Sequence, residues 1–97
     1  MGRKWHRTVL FLLLAAALAA CAVKPPVQEM AEARSAIESA KQLSPTQPEA
    51  QQELKSAEQS LKQAADALDR EQYERARRKA IEAKRKAQRA AQYRSNQ

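Results

Sequence analysis

Histidine is almost missing from this 97-residue chain: the only one is His6, beside the amino terminus. There is one cysteine (Cys21), one glycine (Gly2) and four aromatic side chains, Trp5, Phe11, Tyr73 and Tyr93. Each scarcity excludes something. A lone thiol forms no disulfide within the chain, so this is not a small domain stapled by cross-links. Beyond position 6 there is no imidazole for general acid–base catalysis or for zinc. No Gly-rich loop is present to cradle phosphate. The expectation is therefore a protein that is not an enzyme, with no catalytic residues, no metal and no cofactor. Core material is sparse too. After residue 20 there is no Phe or Trp, and the larger aliphatics are Val23, Val27, Met30, Ile37, Leu43, Leu54, Leu61, Leu68 and Ile81. The last proline is Pro48, so no strong helix breaker lies between Glu49 and the end.

Long apolar runs are equally rare. The one present, Val9–Ala20, has 12 residues, and it follows a basic stretch holding Arg3, Lys4 and Arg7. Spanning a bilayer takes roughly 20 apolar residues, so this run is too short to serve as a permanent transmembrane anchor. A positive segment followed by an apolar stretch of about 7–15 residues is the pattern of a secretory signal. The run closes on Leu18-Ala19-Ala20-Cys21. This tetrapeptide resembles the lipobox of bacterial lipoproteins: an aliphatic residue, two small residues that let the peptidase reach the backbone, then a cysteine whose thiol takes up diacylglycerol. The resemblance implies cleavage before Cys21 and a covalent lipid there as the only non-protein group. Residues 1–20 are thus expected to be a lipoprotein signal peptide and 21–26 a lipidated cysteine with its tether, leaving 27–97 as the domain. In enterobacterial-type sorting an Asp after the lipid-bearing Cys retains a lipoprotein at the inner membrane. Here Ala22 follows, so the analogy points to the periplasmic face of the outer membrane.

Without Arg3, Lys4 and Arg7, 15 basic side chains stand against 11 acidic ones, a net charge of +4. The balance is uneven along the chain. From Lys24 to Glu74 there are 6 basic and 10 acidic groups; from Arg75 to Gln97 there are 9 basic and 1 acidic. The carboxyl-terminal third is therefore the basic part.

Three helices are expected in this body. Pro25 and Pro26 block helix entry before about Val27. Val27, Met30, Ala33, Ile37 and Ala40 then recur at steps of three and four, giving a first helix to Leu43. Ser44-Pro45-Thr46-Gln47-Pro48 breaks it, and Thr46-x-x-Glu49 has the form of a capping box. A second helix, about Pro48–Leu68, carries the stripe Ala50, Leu54, Ala57, Leu61, Ala64 and Leu68. A third, about Gln72–Arg94, carries Tyr73, Ala76, Ala80, Ala83, Ala87 and Ala90. The junction has two readings. Continuing the second stripe lands on Glu71, Arg75, Arg78 and Glu82, and the apolar face resumes five residues on, at Tyr73. That favours a turn, with Asp69 capping the third helix. The rival is one helix from Glu49 onward, about 70 Å long at 1.5 Å per residue. A turn lets the stripes cover each other, whereas a single helix would expose its stripe unless it oligomerised. The fold expected is all-α: a small antiparallel three-helix hairpin or bundle after a cleaved signal helix.

Arg77, Arg78, Lys79, Lys84, Arg85, Lys86 and Arg89 flank the alanines of the third helix and form a candidate anionic contact. The plain alternative is a solvated face partly neutralised by acids such as Glu53 and Glu58. Basic residues near an anionic lipid surface gain about 1 kcal/mol each, and so short a tether brings headgroups within reach. Anionic cell-wall polymer is the other candidate. Nucleic acid is not expected, since no aromatic platform interleaves with the bases.

As a whole, the body resembles a family of small, alanine-rich bacterial lipoproteins with a helical domain of unknown function. The residues carrying the resemblance are Ala33-Arg34-Ser35-Ala36-Ile37, the Pro-rich break, the Leu54–Leu68 stripe, and Tyr73-x-x-Ala76 followed by Ala80, Ala83 and Ala87. It covers about residues 27–93. Some relatives are similar to segments preceding OmpA-like peptidoglycan-binding domains, and no such domain is seen here. The chain also looks like the murein lipoprotein, but its last residues, Arg94-Ser95-Asn96-Gln97, lack the terminal Lys used for covalent wall attachment. The expected role is a non-enzymatic structural or adaptor module of the envelope. It would be held to the membrane by acyl chains, with envelope proteins, anionic lipid or peptidoglycan as partners. The alternatives are a coiled-coil oligomeric spacer and a carrier of an anionic lipid or cell-wall ligand.

Overall fold

The computed structural model describes residues 5–13 and 24–95, except for the side chains of Arg94 and Ser95. Leu18–Cys21, and with it the lipid-bearing cysteine expected from the sequence, lies outside the described residues. Everything regular within them is helical. A helix described over residues 5–13 (α1) is exposed throughout. Three longer helices follow: α2 (Val27–Gln42), α3 (Pro48–Asp69) and α4 (Tyr73–Ser95). No helix among the described residues is long and apolar enough to cross a membrane.

The prolines start α2 as expected. The Met30 N–H donates to the Pro26 carbonyl (3.0 Å), the first bond of the helical ladder, and Pro26 itself is buried. The helix ends where Ser44 takes φ 49°, in the left-handed region. There the Ser44 N–H donates to the Lys41 carbonyl (2.9 Å). Pro45 follows and has no N–H to add a second closing bond.

Helix α3 opens differently from the expectation. Its first residue is Pro48, suited to the first helical position because the missing N–H has no intrahelical partner there. The N-cap is therefore Gln47, and no side-chain cap bond forms. Thr46 sits one residue too early to cap, so the capping box with Glu49 is not made. A glutamine one turn in ties the entry loop down instead: Gln51 Nε2 donates to the Pro45 carbonyl (3.1 Å).

Between α3 and α4 there is a turn, not a continuous helix. Glu71 has φ 58°. Its N–H donates to the Leu68 carbonyl (3.0 Å), and the Gln72 N–H reaches back to the Ala67 carbonyl (2.9 Å). Those two bonds are the Schellman pair that satisfies the last carbonyls of a helix. The position usually held by glycine is occupied here by glutamate. The expected Asp69 cap is corrected: Asp69 is the last residue of α3, and α4 opens from Gln72, whose carbonyl accepts the Ala76 N–H (2.9 Å).

Packing rests on alanine. Ala57, Ala64, Ala76, Ala80, Ala83 and Ala87 are wholly inaccessible, and among the described residues Met30, Ile37, Pro26 and Ser60 are the larger side chains buried with them. The α3–α4 contact is the most extensive, α2 against α4 comes next, and α2 against α3 is the slightest. Small side chains let two helix axes approach toward the near end of the usual 8–10 Å range. The leucines of α3 do another job. Leu54 and Leu61 are half-buried and pack against the Ile37, Ala57 and Ala87 cluster, and Leu61 also reaches the Met30 cluster. They fill the wider gap toward α2. Two stripe assignments change accordingly. Val27 is 69% exposed rather than part of the α2 core, and the buried line of α3 turns toward Ser60 and Ala67.

Candidate functional site

The basic residues of α4 divide by the flank they occupy. Arg77 and Lys84 lie about two turns apart on the side facing α2. Arg77 Nε contacts Glu29 Oε1 (3.4 Å), and Lys84 Nζ contacts Glu32 Oε2 (3.0 Å). On the side facing α3, Arg89 Nη2 meets Glu53 Oε2 (3.4 Å). Lys86 Nζ is bound to Glu82 Oε1 (3.0 Å) and donates to the hydroxyl of Ser60 (3.0 Å), the one buried polar side chain among the described residues. Lys79 Nζ takes the other oxygen of Glu82 (3.2 Å). Of the seven candidates, only Arg78 and Arg85 make no ion pair with a described residue; both are exposed, as is Arg75 beside them.

Glu58, expected to face α4, pairs instead with Lys41 of α2 (2.7 Å). The proximity of these charges is written into their protonation. Hydrogen bonds from Lys84 and Gln28, with the Lys84 charge, hold the Glu32 carboxyl below its ordinary value. Hydrogen bonds from Lys86 and Lys79 do the same for Glu82. The Glu58 carboxylate raises Lys41. Glu29 and Glu32 of α2, Glu53 of α3, and Glu74 and Glu82 of α4 itself thus act as counterions for the α4 bases, and the basic face becomes largely an internal ion-pair network.

One contact joins the network to the chain before α2. Arg77 Nη2 donates to the carbonyl of Lys24 (3.3 Å) while its other nitrogens hold Glu29 and Glu74. Sequence reasoning placed Arg77 on the basic face but missed this role, and it missed Ser60. Neither had a signal, because each partner is distant along the chain.

The concave features are shallow. A hollow of about 430 Å³ lies where Gln42 at the end of α2 and the α2–α3 loop, residues 43–47, meet Ala50 and Tyr93. Tyr93 is half-buried there. A second, of about 390 Å³, lies beside Lys24, Pro25, Val27 and Arg77. Neither gathers a nucleophile with a base. No group of three or more His, Cys, Asp or Glu suited to a metal ion occurs among the described residues. What the geometry provides is a charged, polar helical surface suited to contact.

Against known proteins, a family model described as a domain of unknown function, DUF4398, matches residues 28–96. No curated protein and no solved structure matches the chain.

Proposed function

The chain belongs to the DUF4398 family, and on that premise we propose that it is a lipid-anchored envelope protein whose helical body serves as a non-enzymatic structural or adaptor module. The observation that carries this reading is Leu18-Ala19-Ala20-Cys21 at the end of a 12-residue apolar run, only six positions before α2 begins at Val27. In this reading residues 1–20 are removed and Cys21 carries the acyl chains. Each buried CH₂ adds about 0.8 kcal/mol, and two or more chains make the attachment stable. Ala22 favours the outer membrane, on its periplasmic face.

The body would then be an up-down-up bundle of three helices. Two sets of contacts support that order. Between α3 and α4, Glu53 meets Arg89 while the later Ser60 meets the earlier Lys86, the sense of antiparallel helices. Between α2 and α4, Glu29 meets Arg77 and the later Glu32 meets the later Lys84, the sense of parallel ones. Such a bundle satisfies its alanine stripes internally and offers partners a surface of charge rather than a pocket. Anionic lipid or wall polymer would find its free cations at Arg75, Arg78 and Arg85.

Intact-mass spectrometry of the protein recovered from host membranes tests the anchor. The expected mass begins at residue 21 and includes the acyl groups. Cys21→Ser should retain the leader and carry no lipid. An unmodified wild-type chain would remove the proposal.

A further inference from the structure

From Lys24 onward, the link between Cys21 and the bundle is not a free stalk. Lys24, Pro25 and Pro26 are laid along the bundle before α2 begins. Pro26 is buried, the Val27 N–H donates to the Pro25 carbonyl (2.9 Å), and Arg77 of α4 holds the Lys24 carbonyl (3.3 Å). Arg77 is itself fixed by Glu29 and Glu74. Only Ala22 and Val23 therefore separate the Lys24 clamp from Cys21, three steps along the chain and a reach of at most about 11 Å at 3.3–3.6 Å per residue.

We propose that this clamp sets the body's orientation, with the end carrying Lys24, Val27 and the α3–α4 turn lying against the lipid surface. The proposal rests on the lipid-anchor reading above. The partner is the bilayer that receives the acyl chains. The end that meets it presents Val27, 69% exposed beside exposed Pro25, as a small apolar contact; on the same end, beside the exposed acids Asp69 and Glu71 of the turn, stand the exposed cations Lys24, Arg70 and Arg75. These three make no ion pair with a described residue, and their long side chains suit the headgroup layer. The opposite end, where the α2–α3 loop meets Tyr93, faces away. The 23 residues of α4 place it about 35 Å farther out, at 1.5 Å per residue.

The test uses the acylated full chain in phosphatidylcholine vesicles containing a headgroup nitroxide lipid. A fluorophore is placed on Asp69→Cys or on Thr46→Cys, both exposed positions at opposite ends. Quenching should be several-fold stronger at position 69 than at 46. Inserting a Gly/Ser segment of about a dozen residues between Val23 and Lys24, which adds roughly 20 Å of flexible reach, leaves the bundle untouched and should erase the difference. Arg77→Ala should reduce it. Equal quenching at the two positions in the uninserted chain, or stronger quenching at 46, overturns the orientation while the anchor stands. Protein whose mass before reconstitution shows no acyl group overturns both.

Discussion

Ala83 is fully buried in a cluster with Met30, Ala33, Ala64 and Ala80, and nothing larger than a methyl group fits where it points. Ala83→Leu should therefore destabilise the body by about 1–3 kcal/mol, the cost of forcing side chains off their rotamers in a filled interior. Denaturant titration followed by circular dichroism measures it. Met30→Ala works in the other direction, leaving a void that costs about 2–5 kcal/mol, a large fraction of what so small a domain has. Ser60→Ala should be nearly neutral by the same measurement. Lys86 loses one acceptor but keeps Glu82, and its ammonium still reaches water. At this scale the sequence was partly readable. Ala33, Ala57 and Ala80 could be assigned to the core because each recurs at helical spacing. The partners of Arg77 and Lys41 could not, because an ion pair between helices depends on a rotation and an approach that no local pattern encodes.

Among the elements, the three helices of the body fall within a residue of the bounds read from their apolar spacing. Prolines and alanine runs leave little else for such segments to do. What escaped was the chemistry of their ends. Thr46 and Asp69 have the right side chains for capping, but Pro48 and the left-handed Glu71 set the boundaries elsewhere. A non-glycine residue in the left-handed region costs roughly 1 kcal/mol. Glu71→Gly should thus stabilise the turn by up to about 1 kcal/mol, after allowing for glycine's own entropy loss. Glu71→Val should lower the melting temperature, since a β-branched side chain fits that region worst.

For the whole molecule, the charge network predicts how stability follows pH. Glu32 and Glu82 have folded pKa values below their ordinary 4.5, so their contribution is full above that value and disappears as pH falls through the lowered ones. Lys41 is raised above 10.5, so its contribution is full below that value and is lost as pH rises through the raised one. A plateau between the carboxylate and lysine ranges, falling at both ends, is expected in melting scans across pH. Because the pairs are largely half-exposed, about 1 M salt should lower the plateau. The chain carrying Cys21→Ser, with residues 1–20 removed, should sediment as a monomer. Val27 is the only large hydrophobic that residues 24–95 leave well exposed, too little for a stable oligomer. A dimer or higher species would favour the spacer reading.

The alanine interior has a thermal consequence. Burying mostly methyl groups removes little apolar surface from water, and it is that surface that gives unfolding its large heat capacity. Calorimetry should find a value per residue below the usual 12–15 cal/mol/K or so. The stability curve would then be a low, broad dome. Such a domain resists cold as well as warmth, and warming weakens its fold gradually over many degrees.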